Sequence, residues 1–400
     1  MTTSADLPDA QDESRGSATE ADDAGVRVVA FGGGTGMSAL LQGLKAYSRN
    51  ITAVVTVTDN GGSSGRLRND FDIAAPGDIR SCLIALADVD PLIAEALQYR
   101  FHEAEFKDHS FGNLFITVLT RIVGNFSDSI RALNRLLKVQ GRVIPATSTR
   151  VSLVAHHQDG TKSTGEVEIT RSRKRIERIE IRPSPVPLSG EIREAIRDAD
   201  LFLFGPGSLF TSVIPNLLLD GIVDAINANG SPRVYIGNIM TQPGETDGFQ
   251  LSDHIRALRR HVGEDFPDCV IAHRGALPPV VLEKYAAEES QPVLDDIVGK
   301  PEFQNVQVIA RNFYRAGEGR PAYAARHDSA ILARAIEDEL LKPIRSGERA
   351  GGAPGGSGIA RKAGAGEEGA SPPGRGRRRA APAASTVSPP HHSHGTRALD

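Results

Sequence analysis

Cysteine is scarce in this 400-residue chain: there are two, Cys82 and Cys269, far apart and each in apolar surroundings. That excludes a disulfide framework and predicts two structural free thiols in a reducing compartment. No run of about eighteen apolar residues occurs, so no membrane span is expected. The first stretch has no basic segment followed by an apolar one, so no secretory signal is expected and the chain reads as cytoplasmic. No unit of roughly 20–50 residues recurs, which excludes a repeat architecture. The P-loop pattern G-x-x-x-x-G-K-[ST] is missing. A dinucleotide fingerprint started at Gly32 needs glycine at position 37, where Met37 stands. No nucleophile–base pair and no metal cluster stands out, so no catalytic and no metal-ligating residue is expected.

Charge is uneven at the two ends. Residues 1–25 hold seven Asp/Glu against one Arg, and residues 344–400 hold nine Lys/Arg against four Asp/Glu. Neither end has the apolar surface to offset the entropy of ordering, so a disordered acidic head and a disordered Gly/Pro/Arg-rich tail are expected. The run Arg375-Gly-Arg-Arg-Arg and the histidines of His391-His-Ser-His read as solvated tail. The folded domain is expected over 26–343. It is close to neutral, which gives no reason to expect a nucleic-acid partner.

What is present is glycine at strand ends. Val26-Arg-Val-Val-Ala-Phe is a short apolar run of the kind that forms a buried parallel strand. It breaks into Gly32-Gly-Gly-Thr-Gly, and an amphipathic helix follows through Leu40, Leu41 and Leu44. Strand, glycine turn and helix together aim free backbone N–H groups at an anion. Ile51–Val57 reads as the second strand. It leads into the loop Thr58-Asp-Asn-Gly-Gly-Ser-Ser-Gly-Arg-Leu-Arg, where Arg66 and Arg68 have the fork geometry for phosphate and Asp59 suits a metal or a hydroxyl. Asp78, in Pro76-Gly-Asp-Ile-Arg, fits either a helix cap or the same crevice. Helices are predicted over 92–99, from His109-Ser-Phe-Gly-Asn-Leu to Ile122, and over 127–138.

Residues 142–182 change character. Val151-Ser-Leu-Val, Gly165-Glu-Val-Glu-Ile and Ile176-Glu-Arg-Ile-Glu-Ile alternate with period two, which predicts an antiparallel insertion. The basic run Arg171-Ser-Arg-Lys-Arg would be its hairpin turn, away from the active centre. Beyond it, Asp200-Leu-Phe-Leu-Phe ends in Gly205-Pro-Gly-Ser-Leu-Phe-Thr-Ser, with a helix predicted over 213–226. Strand 233–237 ends in Asn238-Ile-Met-Thr-Gln-Pro-Gly-Glu-Thr-Asp-Gly and is followed by a helix over 252–261. Strands are predicted at 269–272 and 306–309, and helices at 280–287, carrying Tyr285, and at 331–341. Four strand ends share a bias toward glycine, hydroxyl, amide and acid. In an open α/β sheet such loops gather outside the carboxyl ends of the strands and build one pocket.

Taken in order, these loops resemble the gluconeogenesis factor family (YvcK-like), within the superfamily of 2-phospho-L-lactate transferase (CofD-like). The resemblance covers about 26–343 and rests on Phe31-Gly-Gly-Gly-Thr-Gly, Asp59-Asn-Gly-Gly-Ser-Ser-Gly-Arg, Pro76-Gly-Asp-Ile-Arg, His109-Ser-Phe-Gly-Asn-Leu, Gly205-Pro-Gly-Ser-Leu-Phe-Thr-Ser and the Asn238 loop. It implies an α/β, three-layer Rossmann-like fold with a mainly parallel sheet, plus the small antiparallel insertion. It also implies a cytoplasmic regulatory binder of UDP-sugars, notably UDP-N-acetylglucosamine, needed for cell shape and cell-wall precursor supply during gluconeogenic growth.

On that resemblance, Gly33, Gly34 and Thr35 lie under the diphosphate. Asp59, Asn60, Ser64 and Arg66 line the crevice, with Asp78 and Asn113 beside them. Gly207, Ser208, Asn238 and Thr241 lie opposite, and Tyr285 and Arg326 serve the nucleotide end. The alternative is a transferase acting on a nucleotide-activated phospholactate, with Asp59 and Asp78 holding Mg2+. The family often has a second acid where this chain has Asn60, which makes a poorer magnesium anchor. An NAD-dependent oxidoreductase is the third reading, disfavoured by the incomplete fingerprint. No membrane partner is expected. Oligomeric state is left open, a homodimer included.

Overall fold

The computed structural model describes residues 25–315 and 325–347. The acidic head, the basic cluster at 375–379 and the histidines at 391–394 lie outside the described residues. The run Val28–Gly32 is buried along its whole length and forms β1. β2 (Ile51–Val55) and β3 (Arg142–Pro145) follow it on one side of the main sheet. A separate three-stranded sheet contains β4 (Ser152–His157), β5 (Lys162–Thr164) and β6 (Ile176–Arg182), paired antiparallel. The main sheet is completed by β7 (Leu201–Phe204), β8 (Arg233–Ile236), β9 (Cys269–His273) and β10 (Gln307–Arg311). Its order is β10-β9-β8-β7-β1-β2-β3, and every pairing is parallel.

Alternate residues of each central strand enter different cores, as the pleat requires. Val28 and Ala30 of β1, with Leu201 and Leu203 of β7, face one side. That side is covered by α1 (Gly34–Leu44), which follows β1 directly. A further group on the same side begins with α2 (Gly62–Phe71), α3 (Gly77–Leu86), α4 (Pro91–Gln98), α5 (Phe111–Val123) and α6 (Phe126–Leu136). Of these, α1 supplies Met37, Leu40, Leu41 and Leu44, and α3 supplies Ile79, Cys82, Leu83 and Leu86. Val29, Phe31, Phe202 and Phe204 face the other side. There they meet Leu153 and Ala155 of β4, Ile179 and Ile181 of β6, and a second set of helices. That set includes α7 (Glu166–Ser172), α8 (Gly190–Asp198), α9 (Ile222–Asn229) and α10 (Leu251–Val262). α11 (Pro279–Ala287), α12 (Ser329–Ile336) and the short α13 (Lys342–Arg345) complete the helices of the described residues. Each fully buried Leu, Ile or Phe in these layers contributes about 1.5–3 kcal/mol. Both cysteines are buried free thiols, and burial pushes Cys269 up to about 12.

Several local expectations change. β3 joins the main sheet by parallel pairing with β2, so the insertion starts after it. Gly165–Ile169 is not a strand. After Thr164 the ladder stops, Gly165 turns at φ 87, and Asn60 Oδ1 accepts the Val167 N–H to start α7. Five residues of this pattern fit either element, and that contact decides. The basic run therefore spans the end of α7 and a left-handed Arg173 at φ 50, not a hairpin turn. The helix expected over 213–226 is interrupted: a short 3₁₀ segment, Ile214–Leu218, ends at an extended Leu219, Gly221 turns at φ 76, and α9 starts only at Ile222. The loop after β2 is already helical from Gly62. The C-terminal helical segment runs through Arg345, two residues into the expected tail, whose first residue, Ile344, packs on the core.

Candidate ligand-binding site

β1 and β7 are neighbours, yet the chain leaves β1 toward β2 and leaves β7 toward β8. Their carboxyl ends therefore flank the switch point where α/β sheets open a crevice. Phe31 pairs with Phe204 in register, and their rings stack at 5.2 Å beneath the two turns. The turns touch. A Cβ on Gly36 would sit 2.7 Å from the Pro206 carbonyl oxygen, and one on Gly207 would sit 3.2 Å from that of Gly33. Gly34 adopts φ 68, which favours glycine. α1 starts here with no N-cap side chain and no acid of its own in the first turn; Asp78 takes the Gly34 N–H from behind, and the positive end of the helix dipole stands at this turn.

A cleft of about 320 Å³ opens over this N-terminus. Its floor is Gly33, Gly34, Thr35 and Gly36, and one wall is Gly207, Ser208 and Ser212. Asn238, Met240, Thr241 and Gln242 from the loop after β8 form the next wall. Tyr285 of α11 and Arg326 and His327 close the far end, and Glu166 of α7 reaches in from the inserted layer. Tyr285 Oη accepts the Ala325 N–H at 3.2 Å, which ties α11 to the segment bearing Arg326. Arg326 is exposed and, among the described residues, forms no ion pair.

Nine of the residues expected at the ligand line this cleft: Gly33, Gly34, Thr35, Gly207, Ser208, Asn238, Thr241, Tyr285 and Arg326. Six others sit off its wall. Asp78 receives the Gly34 N–H and lies where a Cβ on Gly33 would meet it at 2.5 Å, so it braces the glycine turn from behind. Asp59 accepts the Gly61 N–H at 2.8 Å. Asn60 holds the start of α7. Ser64 is buried against Gly77. Arg66 donates to the Lys107 carbonyl, and Arg68, also read as a phosphate fork, is buried and bonded to the carbonyls of Thr58 and Val151. Asn113 donates to Ser63 Oγ at 3.2 Å, and Ser63 also lies 3.0 Å from His109 Nδ1.

The cleft's electrostatics come from acids that composition did not single out. Glu245 is buried and accepts the Ser208 hydroxyl, with Thr211 Oγ1 at 3.4 Å. Burial raises its pKa against those bonds. Glu166 is pushed up to about 8, first by burial, then by Asp59, Glu245 and Asp78. Burial and then Asp59 raise Asp78 to about 6, against the Gly34 N–H bond and Arg80. His327 is buried, its Nε2 has no partner, and burial followed by His273 holds it down at about 4. Glu166, Glu245 and His327 were missed as site residues. The first lay in a run read as insertion, Glu245 sat inside the quoted Asn238 loop, and His327 stood next to the more conspicuous Arg326. Among the described residues no set of three or more His, Cys, Asp or Glu side chains is arranged to hold a metal ion.

The family model for "2-phospho-L-lactate transferase CofD" matches residues 28–314. The chain belongs to the CofD family. Curated CofD-family relatives include the gluconeogenesis factor of Halalkalibacterium halodurans, 46% identical over 67% of this chain and 84% of that protein. The gluconeogenesis factor of Bacillus subtilis is 43% identical over 68% of this chain and 86% of its own length. A crystal structure of a UPF0052-family protein from Bacillus halodurans superposes with a TM-score of 0.74 at 42% identity, covering 78% of this chain and 99% of that one. The matched region spans both glycine turns and the loop after β8. Among the described residues no helix is long and apolar enough to cross a membrane.

Proposed function

We propose that the cleft binds a UDP-sugar, UDP-N-acetylglucosamine foremost, and that this CofD-family chain acts as a cytoplasmic regulatory binder supporting cell shape and cell-wall precursor supply during gluconeogenic growth. The observation that carries the reading is the N-terminus of α1, which has no N-cap side chain and lies where two glycine turns touch at the sheet's switch point. A pyrophosphate placed there accepts backbone N–H groups and sits at the positive end of the helix dipole. Tyr285 and Arg326, at the other end of the cleft, suit a base and a second anionic or carbonyl oxygen. The relatives' name supports the physiological part of the reading.

The protonation of Glu166 favours the same ligand. A carboxyl held neutral up to about pH 8 adds no charge beside a pyrophosphate and offers it an O–H donor. Calorimetry with UDP-N-acetylglucosamine tests the proposal. Micromolar or tighter binding that Arg326→Ala weakens by about 10–100-fold is the expected result. No heat with any uridine nucleotide overturns it. The transferase alternative is supported by the family model's description and by the closeness of Asp59 to Asp78. Magnesium-dependent turnover of a nucleotide-activated phospholactate, abolished by Asp59→Ala, would favour it instead.

A further inference from the structure

Arginines stand at the starts of the first three strands of the main sheet, on its amino edge, opposite the cleft. Arg27 immediately precedes β1, Arg49 lies just before β2, and Arg142 is the first residue of β3. β2 pairs with both β1 and β3. Neighbouring strands lie about 4.8 Å apart, so the three side chains start along one short arc. They line a cavity of about 340 Å³, together with Thr52 of β2 and Asp198 at the end of α8. Gly141 makes the arc tight. Its φ is 87, and a Cβ there would run into the Ile51 carbonyl oxygen, so glycine lets the chain enter β3 this close to β2.

The charges around this cavity do not cancel. Arg27 is engaged: its Nε and Nη2 donate to the carboxylate of Asp200 at 3.0 and 2.9 Å. Asp198 is engaged as well, accepting Nε and Nη2 of Arg197 on its two oxygens. Arg197 first, then Arg27 and Arg142, hold the Asp198 carboxyl below the usual carboxylate range. Arg142 donates Nε to Thr52 Oγ1 at 3.0 Å, which fixes its stem. Among the described residues its two Nη groups have no hydrogen bond and it forms no ion pair. The Arg49 guanidinium has neither an ion pair nor a hydrogen bond among them. Two uncompensated guanidiniums on one cavity repel each other and favour an anion between them.

We propose that this cavity binds a small sugar or polyol phosphate, with the phosphoryl group between Arg49 and Arg142 and the hydroxyls toward Asp198. Forked N–H donors match phosphoryl oxygens. The ionised Asp198 accepts hydroxyl groups and repels a second anionic group, so a monophosphate is favoured over a bisphosphate or a polycarboxylate. The cavity is far larger than a phosphate ion, which leaves room for a hydroxylated body. β1 runs from this edge to the glycine turn under the cleft, a span of about 16 Å. The two ligands therefore have separate places and can be bound together.

Calorimetry of the full chain at low ionic strength, with glucose 6-phosphate and glycerol 3-phosphate as probes, tests the site. At least one probe should bind at one equivalent per chain, more tightly than inorganic phosphate, and glucose should give no heat. Arg49→Ala should weaken that binding by about 10–100-fold, as loss of charge-assisted hydrogen bonds does. Its thermal midpoint should be kept, because the Arg49 side chain holds no other group in place. Arg326→Ala, which damages the cleft, should leave probe affinity within about twofold, and so should saturating UDP-N-acetylglucosamine. No heat with either probe overturns the proposal, including a wild type whose own acidic head fills the cavity. So does inorganic phosphate bound as tightly as the esters, or an Arg49→Ala chain that binds like wild type. Displacement of the probe by UDP-N-acetylglucosamine would put its phosphate in the cleft and overturn the proposal too.

Discussion

The glycine turn after β1 and the glycine-rich stretch after β2 both leave the carboxyl ends of neighbouring parallel strands. They carry the same kinds of residue, yet they play different parts. After β1 the helix α1 has no N-cap side chain, Asp78 takes only the Gly34 N–H from behind, and the turn forms the floor of the cleft. After β2 the polar groups are taken up internally. Arg68 bonds two carbonyls, Asn60 starts α7, and Ser63 joins His109 and Asn113. The second stretch clamps the inserted layer and α5 to the sheet. The lesson is that a loop's chemistry depends on which of its donors remain unpaired, not on which residue types it holds.

That contrast can be broken or sharpened experimentally. The largest effect is expected for Arg68→Ala, which strands two buried carbonyls and should cost about 2–4 kcal/mol of stability by chemical denaturation. Calorimetry on the folded protein should find ligand affinity within about twofold of wild type. A large loss of affinity at unchanged stability would return Arg68 to the ligand.

Arg326→Ala should do the reverse. Its guanidinium is exposed, so stability should move by less than about 0.5 kcal/mol. UDP-N-acetylglucosamine affinity should fall by about 10–100-fold, as loss of a charged contact does. A denaturation midpoint that shifts with intact binding would place Arg326 among the clamps.

Glu166 gives a pH-dependent test. Its folded-state pKa lies near 8, above its unfolded value, so the stability tied to its proton is present at acid pH and is lost as pH rises through about 8. The wild type should lose stability between about pH 5 and pH 9, and Glu166→Gln should flatten that slope by about 1–3 kcal/mol. Affinity for a diphosphate should also fall above pH 8 in the wild type and hold in the variant. Parallel pH profiles for the two proteins would remove Glu166 from the cleft's electrostatics.

The smallest effect belongs to Asn60→Ala, which removes one acceptor at the start of α7 and should cost about 1 kcal/mol. Its influence on binding should pass only through Glu166, so the pH profile should shift more than the affinity at pH 7. An affinity loss matching that of Arg326→Ala would show Asn60 touching the ligand.

Much of this was legible from local pattern. The buried runs of β1, β2, β7 and β8 and the turns that end them follow from apolar continuity and glycine placement, because a strand buried on both faces needs no alternation. Tyr285 and Arg326 were reached through family resemblance alone. Period-two alternation at 165–169 misled, since five residues suit a strand or one helical turn until a neighbour such as Asn60 supplies the cap. Glu166 and Glu245 were invisible as site residues, because a carboxylate's role comes from burial and from other carboxylates near it in space.

By itself, then, the amino-acid order determined the parallel sheet, the glycine turns and the family, all of which depend on near neighbours in the chain. Tertiary structure decided which turn stays open to a ligand and which acids gather beside it. Those outcomes depend on contacts across more than a hundred residues, such as Asn60 with Val167 and Gly36 with Pro206, and on the loss of water around the groups they enclose.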